Sequence, residues 1–259
     1  MRIALGLEYN GHHFFGWQSQ INLPSVQVCL EDALSKITNE PIKVFCAGRT
    51  DAKVHAVGQV VHFDTQAVRG LRAWTLGTNT FLPHSVAVKW AQEVDSEFHA
   101  RFSAVSRCYR YIILNRSIRS AISAGRVTWH HRALDVERMQ RASQYLLGEH
   151  DFSSLRSSEC QSKTTKRKVR SITVFRQGDY VMIEIEANAF LHHMVRNIAG
   201  VLMQIGEHQQ PPEWMLDVLA AKDRRCAAAT AAPDGLYLYQ VRYPEVYQFP
   251  LHESDFLFI

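Results

Sequence analysis

Asp51 is the residue of this 259-residue chain best placed to do chemistry. It lies in Gly48-Arg49-Thr50-Asp51-Ala52-Lys53-Val54-His55, a polar stretch with one carboxylate, one guanidinium, one hydroxyl and one imidazole. A carboxylate can act as a nucleophile. An aspartate at such a place is equally a turn residue or a helix cap. Arg49, two residues away, could grip a phosphate or could pair with Asp51. The other conspicuous chemistry is cationic. Lys163, Lys166, Arg167, Lys168 and Arg170 crowd one short segment, and Arg101, Arg107, Arg110, Arg116, Arg119, Arg126 and Arg132 recur along another. Such clusters could neutralise phosphates, or simply face solvent.

The elements that must carry these residues are legible in outline. An apolar run, 42–46, enters the Asp51 stretch, and an alternating one, 57–64, leaves it, with Val57, Gln59, Val61 and Phe63 on one face. Two buried strands would give the carboxylate a rigid mount. Residues 3–9, 86–93, 108–114 and 236–243 also read as strands. Segments 170–175 and 181–187 form a hairpin around Gln177-Gly178-Asp179. Helices are expected from Ser25, as N-cap, to about residue 37, and from Asp135, as N-cap, to 147. Further helices are expected at 71–81, at 190–205 and from Pro211 to 221. Residues 153–168, polar and basic, read as a loop. Hairpin-joined strands imply antiparallel pairing and an α+β fold. A boundary falls near 95–102, dividing the chain into halves 1–100 and 101–259.

Composition narrows the classes. Apolar residues are 46 % and charged residues 21 % of the chain, enough for a sizeable core. No apolar run approaches the ~20 residues of a membrane span. The first residues enter a strand at once and lack signal-peptide regions, so a cytoplasmic protein is expected. The formal net charge of +4 is mild for a nucleic-acid binder. The five cysteines, Cys29, Cys46, Cys108, Cys160 and Cys226, form no CxxC pair, and reduced thiols are expected. Nucleotide loops of the GxGxxG and GxxxxGK[ST] types are absent, as are HExxH and GxSxG. The adjacent pairs His12-His13, His130-His131 and His192-His193 are expected to diverge and to chelate poorly. No metal or organic cofactor is expected.

The motif around Asp51 closely resembles the GRTDAGVHA signature of the TruA-type tRNA pseudouridine synthases. Further stretches, in order, resemble motifs of the same family. They are His99-Ala100-Arg101-Phe102-Ser103, Arg107-Cys108-Tyr109-Arg110-Tyr111, Cys160-Gln161-Ser162-Lys163-Thr164, the stretch FLHHMVRNIAG from Phe190, and Gly235-Leu236-Tyr237-Leu238. Together they cover nearly the whole chain. The resemblance implies a pseudouridine synthase fold, two ferredoxin-like halves forming a mixed, largely antiparallel central sheet flanked by helices. It implies isomerisation of uridine to pseudouridine at positions 38, 39 and 40 of the tRNA anticodon stem-loop, by a homodimer in which one tRNA touches both subunits.

The same resemblance assigns roles. Asp51 is the nucleophile, whether it attacks the ribose or assists glycal formation. Arg196 is its basic partner, although alone it reads equally as a surface arginine on the polar stripe beside Asn197. Tyr109 is the active-site tyrosine, stacking on uracil with its hydroxyl near the C5 proton, although alone it reads as a core tyrosine. Arg49 supports base flipping, Arg69 and Arg101 contact tRNA, and Leu236 lines the uracil pocket. The basic segment from Lys163 to Arg170 is expected on phosphates. Lys53 departs from the family, which usually has glycine there. If that position has positive φ, lysine costs about 1 kcal/mol. Residues 164–168 are more basic than the family's usual Thr-Pro-Trp-Arg-Asn, and Ser117 stands where a relative would carry arginine.

Overall fold

The computed structural model describes residues 1–250. The strands are β1 (Arg2–Tyr9), β2 (Phe45–Cys46), β3 (His55–Asp64), β4 (Val86–Val94), β5 (Ser106–Asn115), β6 (Thr128–His130), β7 (Gly148–Asp151), β8 (Lys166–Gln177), β9 (Tyr180–Ala187) and β10 (Leu236–Arg242). The α-helices are α1 (Val26–Thr38), α2 (Val136–Gln144), α3 (Met194–Gly206) and α4 (Trp214–Ala221). The fold is α+β, with mostly antiparallel strands flanked by helices, as the sequence leads one to expect. No helix among the described residues is long and apolar enough to cross a membrane.

The chain divides into two compact units, one joining Met1–Arg107 with the segment from Tyr237 onward, the other Cys108–Leu236. In the first, β1 lies between β4 and β3, antiparallel to both, with Leu5 opposite Val61. β10 returns to run parallel to β3, with Tyr237 opposite His55. β2 pairs antiparallel with the far end of β3, Phe45 opposite His62 and Cys46 opposite Val61. Residues 47–54 are thus the connection of a β2–β3 hairpin, but the strand expected over 42–46 shortens to Phe45–Cys46, and of the two flanking strands only β3 is buried. The inward side chains of β3 are large and apolar, with Val61 and Phe63 fully buried. Ser25 caps α1, its hydroxyl accepting from the Val28 amide. Val26, Leu30, Ala33 and Leu34 of α1 are buried.

In the second unit the strand order is β5-β9-β8-β7, with β6 beside β5. β8 and β9 form the expected hairpin, Gln177 opposite Tyr180, turning on Gly178 at φ +57°. Asp135 caps α2 by accepting from the Arg138 amide.

Four expectations shift. The basic residues Lys166 and Lys168 are not in a loop but, with Arg170, project from the exposed face of β8, alternating with buried Arg167 and Val169. A charged residue at an inward position hid the alternation. Helix α3 starts at Met194 rather than Phe190, because His193 at φ +62° interrupts the chain before it. Helix α2 ends at Gln144, before the expected residue 147. Within 71–81 the helix contains a π turn, Ala73–Gly77, where the Thr78 amide bonds back to the Ala73 carbonyl.

Candidate active site

Asp51 opens a tight turn. The Val54 amide donates to the Asp51 carbonyl at 3.1 Å, and Lys53, at the third position, has φ +66°. A type II turn demands positive φ there and favours glycine. The strain anticipated for Lys53 is therefore present. Its side chain is exposed.

The backbone around this turn is clamped from several sides. The Gln59 side chain is fully buried; its carboxamide donates to the Gly48 carbonyl at 2.6 Å and accepts from the Gly48 amide at 3.3 Å. Tyr9 Oη and Thr50 Oγ1 lie 2.8 Å apart. The Arg107 guanidinium donates to the Ala47 carbonyl at 3.0 Å. A loop following β1 lies against the other side: the Trp17 amide donates to the Thr50 carbonyl at 3.0 Å, and the Lys53 amide to the Phe14 carbonyl at 3.1 Å. That loop approaches so closely that a Cβ on Gly11 would sit 2.0 Å from the Val54 carbonyl oxygen, and Gly16, at φ +97°, would meet the Thr50 carbonyl. It is tied down in turn by His55, whose Nδ1 accepts from the Gly11 amide at 3.0 Å while its ring stacks on Tyr237, 4.6 Å between centroids. Buried hydrogen bonds of this density hold the backbone that carries Asp51 in one conformation.

Arg49 and Asp51 share this turn but differ in exposure. Asp51 is half-buried; Arg49 is exposed and makes no hydrogen bond or ion pair among the described residues, so it is not Asp51's salt-bridge partner. Burial pushes the neighbouring Cys46 thiol up to about 12, so it stays protonated and offers no competing nucleophile. Arg101 is exposed on the 98–103 loop, its guanidinium 5.5 Å from the centre of the Phe102 ring. Arg69 is exposed, its Nε donating at 3.2 Å to the Ile37 carbonyl near the end of α1.

The second unit places Tyr109, Arg196, Lys163 and Leu236. Tyr109, 9 % exposed on β5, meets Phe190 edge to face at 4.9 Å. Tyr111, two residues on, is the core tyrosine. It is fully buried and bonded to Thr128 Oγ1 and the Ala232 carbonyl, and burial raises its hydroxyl well above the usual range. Arg196 is half-buried and donates through Nε to the Ala231 carbonyl at 2.8 Å. Arg196 and Tyr111 therefore both hold residues 231–232, which lead to buried Leu236 at the start of β10. The polar stripe considered for Arg196 does not exist. Its neighbour Asn197 is fully buried, donating to the Leu155 carbonyl and accepting from Arg224 and Thr230. Lys163 is exposed. The His192 and His193 rings do not diverge; left-handed His193 folds its ring to 4.0 Å from its neighbour's.

The clamps, Gln59, Tyr9 and His55, carry no assignment from the sequence. Gln59 had one signal, a polar residue on the otherwise apolar face of Val57, Val61 and Phe63.

Comparison with known proteins accords with this geometry. The family described as tRNA pseudouridine synthase matches residues 7–103 and 142–244, which include the clamped turn and Arg196. The chain belongs to that family. Two curated relatives, each named tRNA pseudouridine synthase A, make the match concrete. One, from Shewanella sp. (strain MR-4), is 60 % identical over 250 residues, 96 % of each chain. The other, from Histophilus somni (strain 2336), is 56 % identical over 259 residues, all of this chain and 96 % of its own. Among solved structures, a Cbf5-Nop10-Gar1 complex aligns with 78 % of this chain and 45 % of that one, at 13 % identity and a TM-score of 0.37. The family's reaction is an isomerisation of uridine in tRNA. It breaks one bond to the base and makes another, with no group brought from outside.

Proposed function

We propose that this chain converts uridine to pseudouridine at positions 38, 39 and 40 of the tRNA anticodon stem-loop, with Asp51 as the nucleophile. The observation that carries the reading is the clamped turn. A half-buried carboxylate sits on a turn whose backbone and flanking side chains are held by buried donors and acceptors, on the motif through which the chain resembles its family. In the reaction the N1–C1′ bond breaks, the uracil turns, C5 bonds to C1′, and the C5 proton leaves while N1 gains one, so that the product is an isomer of the substrate. Asp51 supports the detached state, by bonding to C1′ or by assisting formation of a glycal. Arg196 favours the ionised carboxylate, since a nearby cation stabilises the charged form. Tyr109 stacks on the uracil and brings its hydroxyl to the C5 proton. Leu236 lines the pocket.

A stem uridine must leave its stack, at a cost of a few kcal/mol. Arg49, exposed and uncommitted, suits the vacated position. Arg69, Arg101 and Lys163 contact the tRNA backbone, and the exposed row Lys166, Lys168 and Arg170 on β8 extends that surface. Recognition rests mostly on shape and phosphates. The half 1–100 supplies the nucleophile, and the half 101–259 supplies Tyr109 and Arg196. The working form is a cytoplasmic homodimer, one tRNA touching both subunits, with no metal or organic cofactor.

The test is an incubation with unmodified tRNA transcripts carrying uridine at 38, 39 or 40, in the presence of a chelator, with pseudouridine mapped by position. Product at those positions, and none with Asp51→Ala, is expected. Tight, salt-sensitive binding by the unaltered protein without product would replace the enzyme with an RNA-binding protein on the same scaffold.

A further inference from the structure

The largest exposed aromatic ring near the nucleophile turn has no role in the reaction just described. Phe102 is 75 % exposed, on the 98–103 loop. Exposure of a large ring on a loose loop would mean little, but this loop is fixed. The Ala100 amide donates to His62 Nδ1 at 3.1 Å, and the Ala100 carbonyl accepts from Tyr243 Oη at 2.6 Å. The His99 amide donates to Ser103 Oγ and the Ser103 amide to the His99 carbonyl, each at 2.9 Å. His99 Nδ1 accepts from the Arg101 amide at 3.1 Å. Inside this frame the rings form a row. Phe102 lies 4.4 Å from His99, His99 lies 4.6 Å from His62 and 5.6 Å from Phe45, and Phe45 is itself 42 % exposed. The Arg101 guanidinium sits 5.5 Å from the Phe102 ring centre. Burial keeps both histidines below their ordinary range, so the row is neutral at pH 7 and both Nδ1 atoms remain acceptors.

An ordered loop that spends its hydrogen bonds to present an apolar ring to solvent is built for a partner. The chemistry around it selects the partner. Segments 41–50 and 98–107 contain Lys43, Arg49, Arg101 and Arg107 and no acidic residue. A flat ring flanked by the exposed Arg101, with the nearby Asp64 carboxylate held in an ion pair by Arg2, suits a nucleobase with its phosphate. A protein interface of this kind would be expected to place its cations at a rim with matching acids. We propose that Phe102, backed by His99 and flanked by Arg101, is a stacking platform for an unpaired base of the substrate RNA, outside the pocket where the uridine reacts. The proposal rests on the tRNA reading given above.

Full-length protein and an unmodified tRNA transcript provide the test, by filter binding across a salt series. Phe102→Ala should weaken binding roughly 5- to 100-fold, the range for losing one base–aromatic stack. It should do so without changing the slope of log Kd against log salt. Phe102→Trp should bind within about threefold of the unaltered protein, since any aromatic face serves. Arg101→Ala should lower the salt slope by about one. The melting temperature should be unmoved by Phe102→Ala, because the ring buries little. A Kd for Phe102→Ala within twofold of the unaltered protein overturns the platform. So does full binding by Phe102→Leu, or a change of oligomeric state in Phe102→Ala, which would assign the ring to a protein contact. If the unaltered protein forms pseudouridine in these cases, the platform alone fails. If the unaltered protein neither binds nor converts tRNA, the proposed function fails first.

Discussion

His55 and His62 occupy one strand, β3, and do the same job for different loops. Each is 1 % exposed, and each accepts a backbone N–H at Nδ1, His55 from Gly11 and His62 from Ala100. Through Gly11, His55 secures the loop that brackets the Asp51 turn. Through Ala100, His62 secures the loop that carries Arg101 and Phe102. What the two loops present differs: a half-buried carboxylate in one, an exposed ring and an exposed cation in the other. The same physical device, a buried imidazole holding an amide, thus serves a loop proposed to set reaction rate and a loop proposed to set affinity. Substitutions should separate the two quantities accordingly.

Short of removing the carboxylate itself, the largest effect belongs to Gln59→Leu. The Gly48 amide and carbonyl lose their partners, which costs about 1–3 kcal/mol of stability. The loosened turn should lower kcat roughly 10- to 100-fold, as small displacements of a reacting group do. KM for tRNA should not move. Steady-state kinetics on a folded sample checks this, and a raised KM with unchanged kcat would break the division between the loops.

His62 gives the next effect, in pH. Burial, with a smaller contribution from His99, brings it down to about 4. Unfolded, it titrates near ~6.5. As pH falls through that window the unfolded chain binds the proton first. Stability is therefore intact above ~6.5 and declines towards pH 4, by up to about 3 kcal/mol. Urea titrations at pH 7 and pH 4.5 should show a smaller decline for His62→Asn, whose amide oxygen can still accept from Ala100. An equal decline would place the acid sensitivity elsewhere.

Tyr9→Phe removes the hydroxyl beside Thr50 and should cost about 1 kcal/mol in chemical denaturation, with a small drop in rate. The smallest effect is expected at Lys53. Lys53→Gly relieves a left-handed lysine and should add up to ~1 kcal/mol, leaving activity intact or raised. A large loss of activity would give that lysine a role of its own.

Local signals made much of this molecule legible. Ser25 and Asp135 announce helix starts because an N-cap bonds within three residues of itself. Gly178 announces a hairpin because a two-residue turn needs its φ. The alternation of β3 and the hairpin mount of Asp51 follow from the same short-range logic. The misread places are those where a single residue breaks the local pattern. Arg167 is buried on β8, its guanidinium bonded to Thr164 and Ser162, so a strand looked like a basic loop. Phe190 and Leu191 continue the apolar pattern of α3, yet a left-handed His193 starts the helix later. Tyr9, Gln59 and Asn197 act on residues far along the chain, and only the misplaced polarity of Gln59 hinted at its clamp.

The central claim is that the clamped turn carries the rate through Asp51 and leaves binding to other residues. Asp51→Asn preserves the shape and removes the charge. The direct measurement is its tRNA Kd beside its single-turnover rate of pseudouridine formation. The account predicts a Kd within about twofold of the unaltered protein and a rate lower by roughly 10⁴-fold or more, as for other lost nucleophiles. Pseudouridine formed by Asp51→Asn within about tenfold of the normal rate would contradict it.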